Sequence, residues 1–287
     1  MIANRSDARG ALAGEQTRSV AAGQSTTLPD PMPPATWVIV PTYDEAASIE
    51  RLLRSVAAVL ADAVPNDHRI LVVDDGSPDG TGAIAERIGA ELGVVEVLHR
   101  SAKGGLGQAY LAGFAHALSA GAQRVCEMDA DLSHDPAHLP ALLAAAERAD
   151  VVLGSRYVPG GGVTDWGAVR RLISYGGCAY ARVILALPQR DLTGGFKVLH
   201  RRVLEAIELD SVRSQGYVFQ IEITYRAVLA GFSVEEVPIV FRERDAGTSK
   251  MSARIAFEAM WRVPRLRRSA PAAVARARAA GAATPAA

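Results

Sequence analysis

The sequence contains no run approaching the roughly 20 uninterrupted apolar residues of a membrane-spanning helix, so the chain is not expected to be integral by its own means. Cysteine is scarce. Cys126 and Cys178 lie far apart with no CxxC spacing, which fits reduced thiols of a cytosolic protein better than a disulfide scaffold. Each reads as a small core residue rather than a nucleophile. Charge of one sign is not in excess, because Lys plus Arg and Asp plus Glu each number 31. No global field therefore selects nucleic acid as a partner, and any charge logic must be local. The pattern GxxxxGK[ST] is missing, which leaves a P-loop unsupported. A dinucleotide fold is also disfavoured. "GTGAIA" at residues 80–85 matches G-x-G-x-x-A, but Asp74, Asp75 and Asp79 stand between strand and turn, and residues 97–126 contain no carboxylate to hold a ribose.

What is present is alternation. "TWVIVPTY" precedes the helix-periodic "DEAASIERLLRSVAAVL", and "HRILVVDDGSPDG" precedes "TGAIAERIGAEL". "VVEVLHR" is followed by "GGLGQAYLAGFAHALSA", "RVCEMDADLSHD" by "PAHLPALLAAAERA", and "DVVLGSRY" reads as a fifth strand. Such order predicts an α/β protein with a mostly parallel sheet covered by helices on both faces, its ligands outside the carboxyl ends of the strands. Beyond Arg156 the alternation weakens, with a helix near residues 220–230 and a last strand "SVEEVPIVF". Residues 1–35, rich in Ala, Ser, Thr, Gly, Gln and Pro, read as a disordered leader, residues 36–265 as the folded domain, and residues 266–287 as a disordered Ala/Arg tail.

The predicted strand ends gather charge: Tyr43, Asp44 and Glu45, then Asp74 and Asp75, then Asp129 and Asp131, then Arg156. Two carboxylates at i and i+2 beyond a strand can both face one oxygen-loving cation. Asp129-Ala130-Asp131 taken alone reads better as a solvated turn. Asp74-Asp75 at the neighbouring strand end favours the metal, since four grouped carboxylates repel unless cations neutralise them. His134 and His138 have i, i+4 spacing, but "HDPAH" lacks the glutamate of a zinc protease and reads as histidines bordering a polar loop. Between residues 151 and 190 there are five arginines and one acid, Asp165, which suits an anionic ligand. The stretch from Val169 to Leu187 is amphipathic, as for a helix in a membrane interface or an ordinary surface helix. "RERDAGTSK" reads as a diphosphate clamp or a solvated basic loop. The arginines from Arg262 to Arg278 suit anionic lipid or a soluble end.

In order along residues 37–262, "VIVPTYDEAASI", "ILVVDDGSPDGT", "KGGLGQAYLAGF", "MDADLSHDP", "VLGSRY", "DLTGGFKVL" and "AGTSK" closely resemble the family 2 inverting glycosyltransferases of the GT-A fold. The similarity is greatest to the polyprenyl (dolichyl) phosphate mannose synthases. The resemblance implies transfer of mannose from GDP-mannose to a polyprenyl monophosphate, with inversion and with Mg²⁺ or Mn²⁺ as cofactor. By motif, Pro41, Tyr43, Glu45, Val73 and Asp75 would line the nucleotide pocket. Asp129, Ala130 and Asp131 would meet metal and diphosphate, with Ser133 standing where the family often has glutamine. Arg156, Arg244 and Lys250 would bind phosphate groups, and Arg170 and Ser174 with Arg156 would receive the lipid phosphate. Asp131, Arg156, Arg244 and Lys250 are the implied catalytic set. The enzyme would lie peripherally on the cytoplasmic face of the membrane, docked there by a separate anchoring protein. Another donor, such as UDP-glucose, or a sugar acceptor is the alternative within the family.

Overall fold

The computed structural model describes residues 35–243 and 253–282. The first half is a run of strand and helix: β1 (Thr36–Thr42), α1 (Ile49–Ala63), β2 (His68–Asp74), α2 (Thr81–Leu92), β3 (Val95–His99), α3 (Leu106–Ser119) and β4 (Arg124–Glu127). Then come α4 (Leu139–Ala145), β5 (Val151–Ser155), a two-residue strand β6 (Gly162–Val163) and the long α5 (Ala168–Leu185). The last part comprises β7 (Lys197–His200), α6 (Arg201–Ala206), α7 (Gly216–Leu229), β8 (Val234–Pro238), β9 (Val240–Phe241) and α8 (Ala253–Ala282).

Seven strands form one sheet in the order β3-β2-β1-β4-β7-β5-β8, and β6 pairs with β9 apart from it. Strand alternation explains the two cores. On β1, Val38 and Val40 face one way and pack with Ile49, Leu52, Leu53 and Val56 of α1. Trp37 and Ile39 face the other way and pack with Tyr110 and Phe114 of α3 and Phe219 of α7. Each such buried side chain contributes about 1.5–3 kcal/mol, so a sheet apolar on both faces is held by helices on both sides.

One strand departs from the parallel pattern. β7 runs antiparallel to both β4 and β5, with Lys197 opposite Glu127 and Val198 opposite Val152. The amino-terminal end of β7 therefore lies at the edge where the other strands have their carboxyl ends. This reversal brings "LTGG" beside the loops after β1, β2, β4 and β5.

Three expectations need correction. The expected last strand is split at Ile239, β8 joining the main sheet beside β5 and β9 joining β6. The helix expected from residue 220 starts at Gly216. The expected disordered tail from residue 266 is helical as far as Ala282. Alanine and arginine are strong helix formers, and Val263, Leu266 and Ala270 bury against α5 and α7. No helix among the described residues is long and apolar enough to cross a membrane.

Candidate active site

The loops at the carboxyl edge enclose a cleft of about 530 Å³. Pro41, Tyr43 and Glu45 enter from β1, Asp75 from β2, and Asp129, Ala130 and Asp131 from β4. Val73 does not line it: strand alternation turns that side chain into the core beside Ile39 and α3.

The first two loops are stitched together by side chains. Asp79 accepts from the backbone N–H of Ala46 at 2.9 Å and of Thr81 at 3.0 Å, while Thr81 Oγ1 accepts from Glu45 N–H at 2.9 Å. The aspartates after β2 are committed within the protein. Asp74 Oδ1 accepts from Ser77 Oγ at 2.5 Å, and His99 Nδ1 lies 3.5 Å from Asp74 Oδ2. Asp75 is bound by Arg100 and accepts from the N–H groups of Gly104 and Gly105 at 3.0 and 3.1 Å. This corrects the electrostatic argument from sequence: Asp74 and Asp75 are balanced by the chain's own donors and do not themselves require a cation. The Asp75 contacts fix residues 103–105 across the cleft, where Lys103 Nζ sits 3.5 Å from the centre of the Tyr43 ring.

After β4 the backbone turns sharply, with Leu132 in the left-handed region at φ 64°. Asp131 Oδ1 accepts from Ser133 N–H at 3.0 Å, and the Asp129 N–H donates to His134 Nδ1 at 3.1 Å. His134 is buried and stacks on Phe196 with ring centres 4.9 Å apart. Burial lowers its pKa below 6.5, which keeps Nδ1 an acceptor. His138 Nε2 accepts from Val240 N–H at 3.2 Å. The i, i+4 pair thus braces backbone rather than bordering a polar loop, and no group of three or more His, Cys, Asp or Glu able to hold a metal occurs among the described residues. Ser133 Oγ is buried without a hydrogen-bond partner. The side chains of Asp129, Asp131 and Ser133 offer oxygen donors only, the chemistry that suits Mg²⁺ or Mn²⁺.

Arg156 differs most from expectation. Its Nε and Nη2 donate to Asp191 Oδ2 and Oδ1 at 2.6 and 2.7 Å, and Nη2 also donates to Thr193 Oγ1 at 2.9 Å. Two of its three nitrogens are therefore committed inside the protein, and the residue acts first as a brace between the β5 loop and the segment leading to β7. Burial alone would raise the pKa of Asp191, yet the adjacent guanidinium holds it below 3.8. Arg156 also borders a second, open pocket of about 560 Å³ with Tyr157, Gly162, Arg171, Leu172 and Tyr175. Ser174 lies behind it, accepting from Tyr157 Oη at 2.7 Å. Arg170 sits over Trp166, 4.2 Å from the ring centre, and pairs with Glu243 at 2.6 Å. Arg244 and Lys250 lie outside the described residues.

Several cleft residues carried no role in the sequence reading: Lys103, Thr193, Gly195, Tyr217 and Gln220. "DLTGGF" signalled two of them only through a family motif. Gln220 had a physical signal, because α7 buries Gln220, Glu222, Thr224 and Arg226 together, and polar residues on a helix buried on every side need partners. Below Gln220 lie Glu127 and Lys197, both fully enclosed. Burial pushes the Glu127 carboxyl pKa up, against the opposing pull of Lys197 and of the Gln220 side chain, and pushes the Lys197 ammonium pKa down. Lys197 Nζ donates to the Gln220 carbonyl at 2.7 Å and to Thr224 Oγ1 at 3.1 Å.

Comparison with known proteins accounts for this arrangement. The description "Glycosyl transferase family 2" matches residues 37–208. The chain belongs to that family. It is 47% identical over 227 residues to an undecaprenyl-phosphate mannosyltransferase of Micrococcus luteus, covering 79% of this chain and 91% of the relative. It is 48% identical over 230 residues to a polyprenol monophosphomannose synthase of Mycolicibacterium smegmatis, covering 79% and 85%. Among solved structures it resembles glucosyl-3-phosphoglycerate synthase of Mycobacterium tuberculosis in complex with Mn²⁺, UDP-glucose and phosphoglyceric acid. That match has a TM-score of 0.62 at 18% identity and covers 81% of this chain and 79% of the other. At that identity the likeness concerns the fold, which is the GT-A arrangement of a mostly parallel sheet between helices.

Proposed function

We propose that this glycosyltransferase moves mannose from GDP-mannose to the phosphate of a polyprenyl monophosphate, with inversion at the anomeric carbon. The observation that carries the reading is the adjacency of two unlike sites. One is an acidic cleft holding Asp129 and Asp131. The other is an arginine and aromatic pocket opening beside α5. The names of the two mannosyltransferase relatives support the choice of sugar and acceptor.

Asp129, Asp131 and Ser133 would hold Mg²⁺ or Mn²⁺, which when bound offsets the charge that develops on the departing diphosphate. Tyr43, Glu45, Asp75 and Lys103, which line the cleft, would bound its nucleotide end. Arg244 and Lys250 would supply further positive charge to the diphosphate. On the acceptor side Arg156, Arg170 and Ser174 would orient a phosphate whose second pKa is about 6, so that it is largely dianionic at neutral pH. Such a nucleophile needs no general base. In keeping with this, Asp191 and Glu243 are each tied to an arginine.

A lipid acceptor also accounts for the outer face of α5, where Val169, Leu172, Tyr175 and Val183 are exposed. Met260 and Trp261 of the adjoining α8 are exposed as well. Apolar side chains beside Arg171 suit a peripheral position on an anionic membrane surface. That surface would be the cytoplasmic one, and a separate anchoring protein is compatible with the same face. The test is incubation of purified protein with Mg²⁺ or Mn²⁺, a panel of labelled nucleotide sugars and a short polyprenyl phosphate. Label from GDP-mannose is expected to pass into organic solvent. Transfer from UDP-glucose instead, or to a free sugar, would replace the reading with its family alternative.

A further inference from the structure

The donor-site reading leaves one set of buried polar atoms without a task. Gln220 is 1% exposed and borders the cleft. Its amide N–H2 stands by the buried Glu127 carboxylate and lowers that group's pKa, while its side-chain oxygen has no hydrogen-bond partner. A buried amide oxygen without a donor costs about 1–3 kcal/mol, so it is expected to be satisfied by what enters the cleft.

The surroundings show which part of the donor that is. A Cβ at Gly195 would lie 3.4 Å from Asp129 Oδ1 and 3.5 Å from Gln220 Nε2, so the missing side chain leaves open the space between the diphosphate residue and the amide. The sheet order gives the direction. Across β2, β1, β4 and β7 the edge carries first Asp75, then Tyr43, then Asp129 and then Gly195 with Gln220 behind it. A nucleoside diphosphate sugar laid along that edge with its diphosphate at β4 places its sugar against β7 and α7. The chemistry agrees. A phosphate oxygen only accepts and would leave Gln220 Oε1 unsatisfied, whereas a sugar hydroxyl can donate to it.

We infer that the Gln220 side-chain amide reads a hydroxyl of the transferred sugar, in a pocket that Gly195 keeps open. This inference rests on the donor reading given above. Gln220 is positioned from beneath, its backbone carbonyl accepting from Lys197 Nζ, whose strand partner across the sheet is Glu127. It is a specificity residue, and no proton transfer is assigned to it.

The test pairs Gln220→Met with monodeoxy analogues of the donor sugar. Wild type is expected to lose roughly 10- to 100-fold in kcat/KM on one monodeoxy donor, the loss expected when a buried amide is left unpaired. Gln220→Met is expected to lose a similar factor on the parent donor, to lose little more on that same analogue, and to bind the sugar-free nucleoside diphosphate with metal as wild type does. Wild type using every monodeoxy donor as well as the parent would overturn the inference, and so would equal additional losses in variant and wild type. Gln220→Asn, with the amide on a shorter arm, serves in the same comparison if the methionine variant does not fold. Absence of any nucleotide-sugar binding by wild type would instead remove the donor reading and this inference with it.

Discussion

Arg156 and Asp191 meet through two parallel contacts of 2.6 and 2.7 Å, and their side chains are 5% and 0% exposed. The pair ties the loop after β5 to the segment that delivers Thr193 and Gly195 to the cleft. Removing one member leaves the other charged and buried, so Asp191→Ala is expected to cost about 3–5 kcal/mol, read as a shift of the denaturant midpoint. The carboxyl pKa is depressed in the folded state, so its contribution is present above the unfolded value near 3.8 and is lost as pH falls through the folded one. Asp191→Asn should therefore flatten the stability profile below about pH 4. A variant as acid-sensitive as wild type would contradict this.

Asp131→Ala is expected to lower transfer at least about 100-fold, as when charge stabilisation of a leaving group is removed, with the melting temperature nearly unchanged. Removal of divalent ions with a chelator should have the same effect on wild type and little on the variant. A folded Asp131→Ala protein with near-normal turnover would count against the site.

His134 acts on Asp129 through the backbone. His134→Phe keeps the stacking on Phe196 but loses the acceptor for the Asp129 N–H. A lost hydrogen bond of about 1 kcal/mol predicts a roughly fivefold weaker uptake of Mn²⁺ and nucleoside diphosphate. Calorimetry on folded variant and wild type would show it. Equal affinities would mean the turn holds without the ring.

Lys197→Met leaves Glu127 enclosed without its cation and is expected to destabilise the protein by about 3–5 kcal/mol. Adding Glu127→Gln should return part of that loss. If the double variant is no more stable than the single one in urea unfolding, the two groups are not coupled.

Leu172→Asp changes an exposed residue of α5 and should reduce sedimentation with anionic vesicles and transfer to a long-chain acceptor severalfold. Binding of the nucleoside diphosphate should be unaffected. Vesicle binding that persists at wild-type level would place the membrane contact elsewhere.

Much of the fold was legible because the chain repeats a simple signal. Apolar runs such as "ILVV" and "WVIV" bounded by turn residues, each followed by a helix-periodic stretch, can be resolved only as a covered parallel sheet. The cleft residues Tyr43, Asp129 and Asp131 were legible for the same reason, standing just beyond those runs. β7 was not. Four residues, "KVLH", carry too little pattern to reveal their direction, and that direction is what brings Gly195 to the cleft. Val73 was misplaced because a motif gives position along a strand but not the face. The tie of Arg156 to Asp191 was not legible because the partner lies 35 residues away and no local spacing announces it. The tail was misread because alanine and arginine, poor in a core, are nevertheless strong helix formers with a surface to lie on.

The one-sided placement of the working loops has a practical corollary. The turns at 64–67 and 120–123 lie at the opposite end of the sheet, and both native thiols, Cys126 and Cys178, are buried. A single cysteine introduced at the exposed Gln123 would therefore take a maleimide dye or a bead linkage selectively, fixing the molecule with its mouth outward for single-molecule observation.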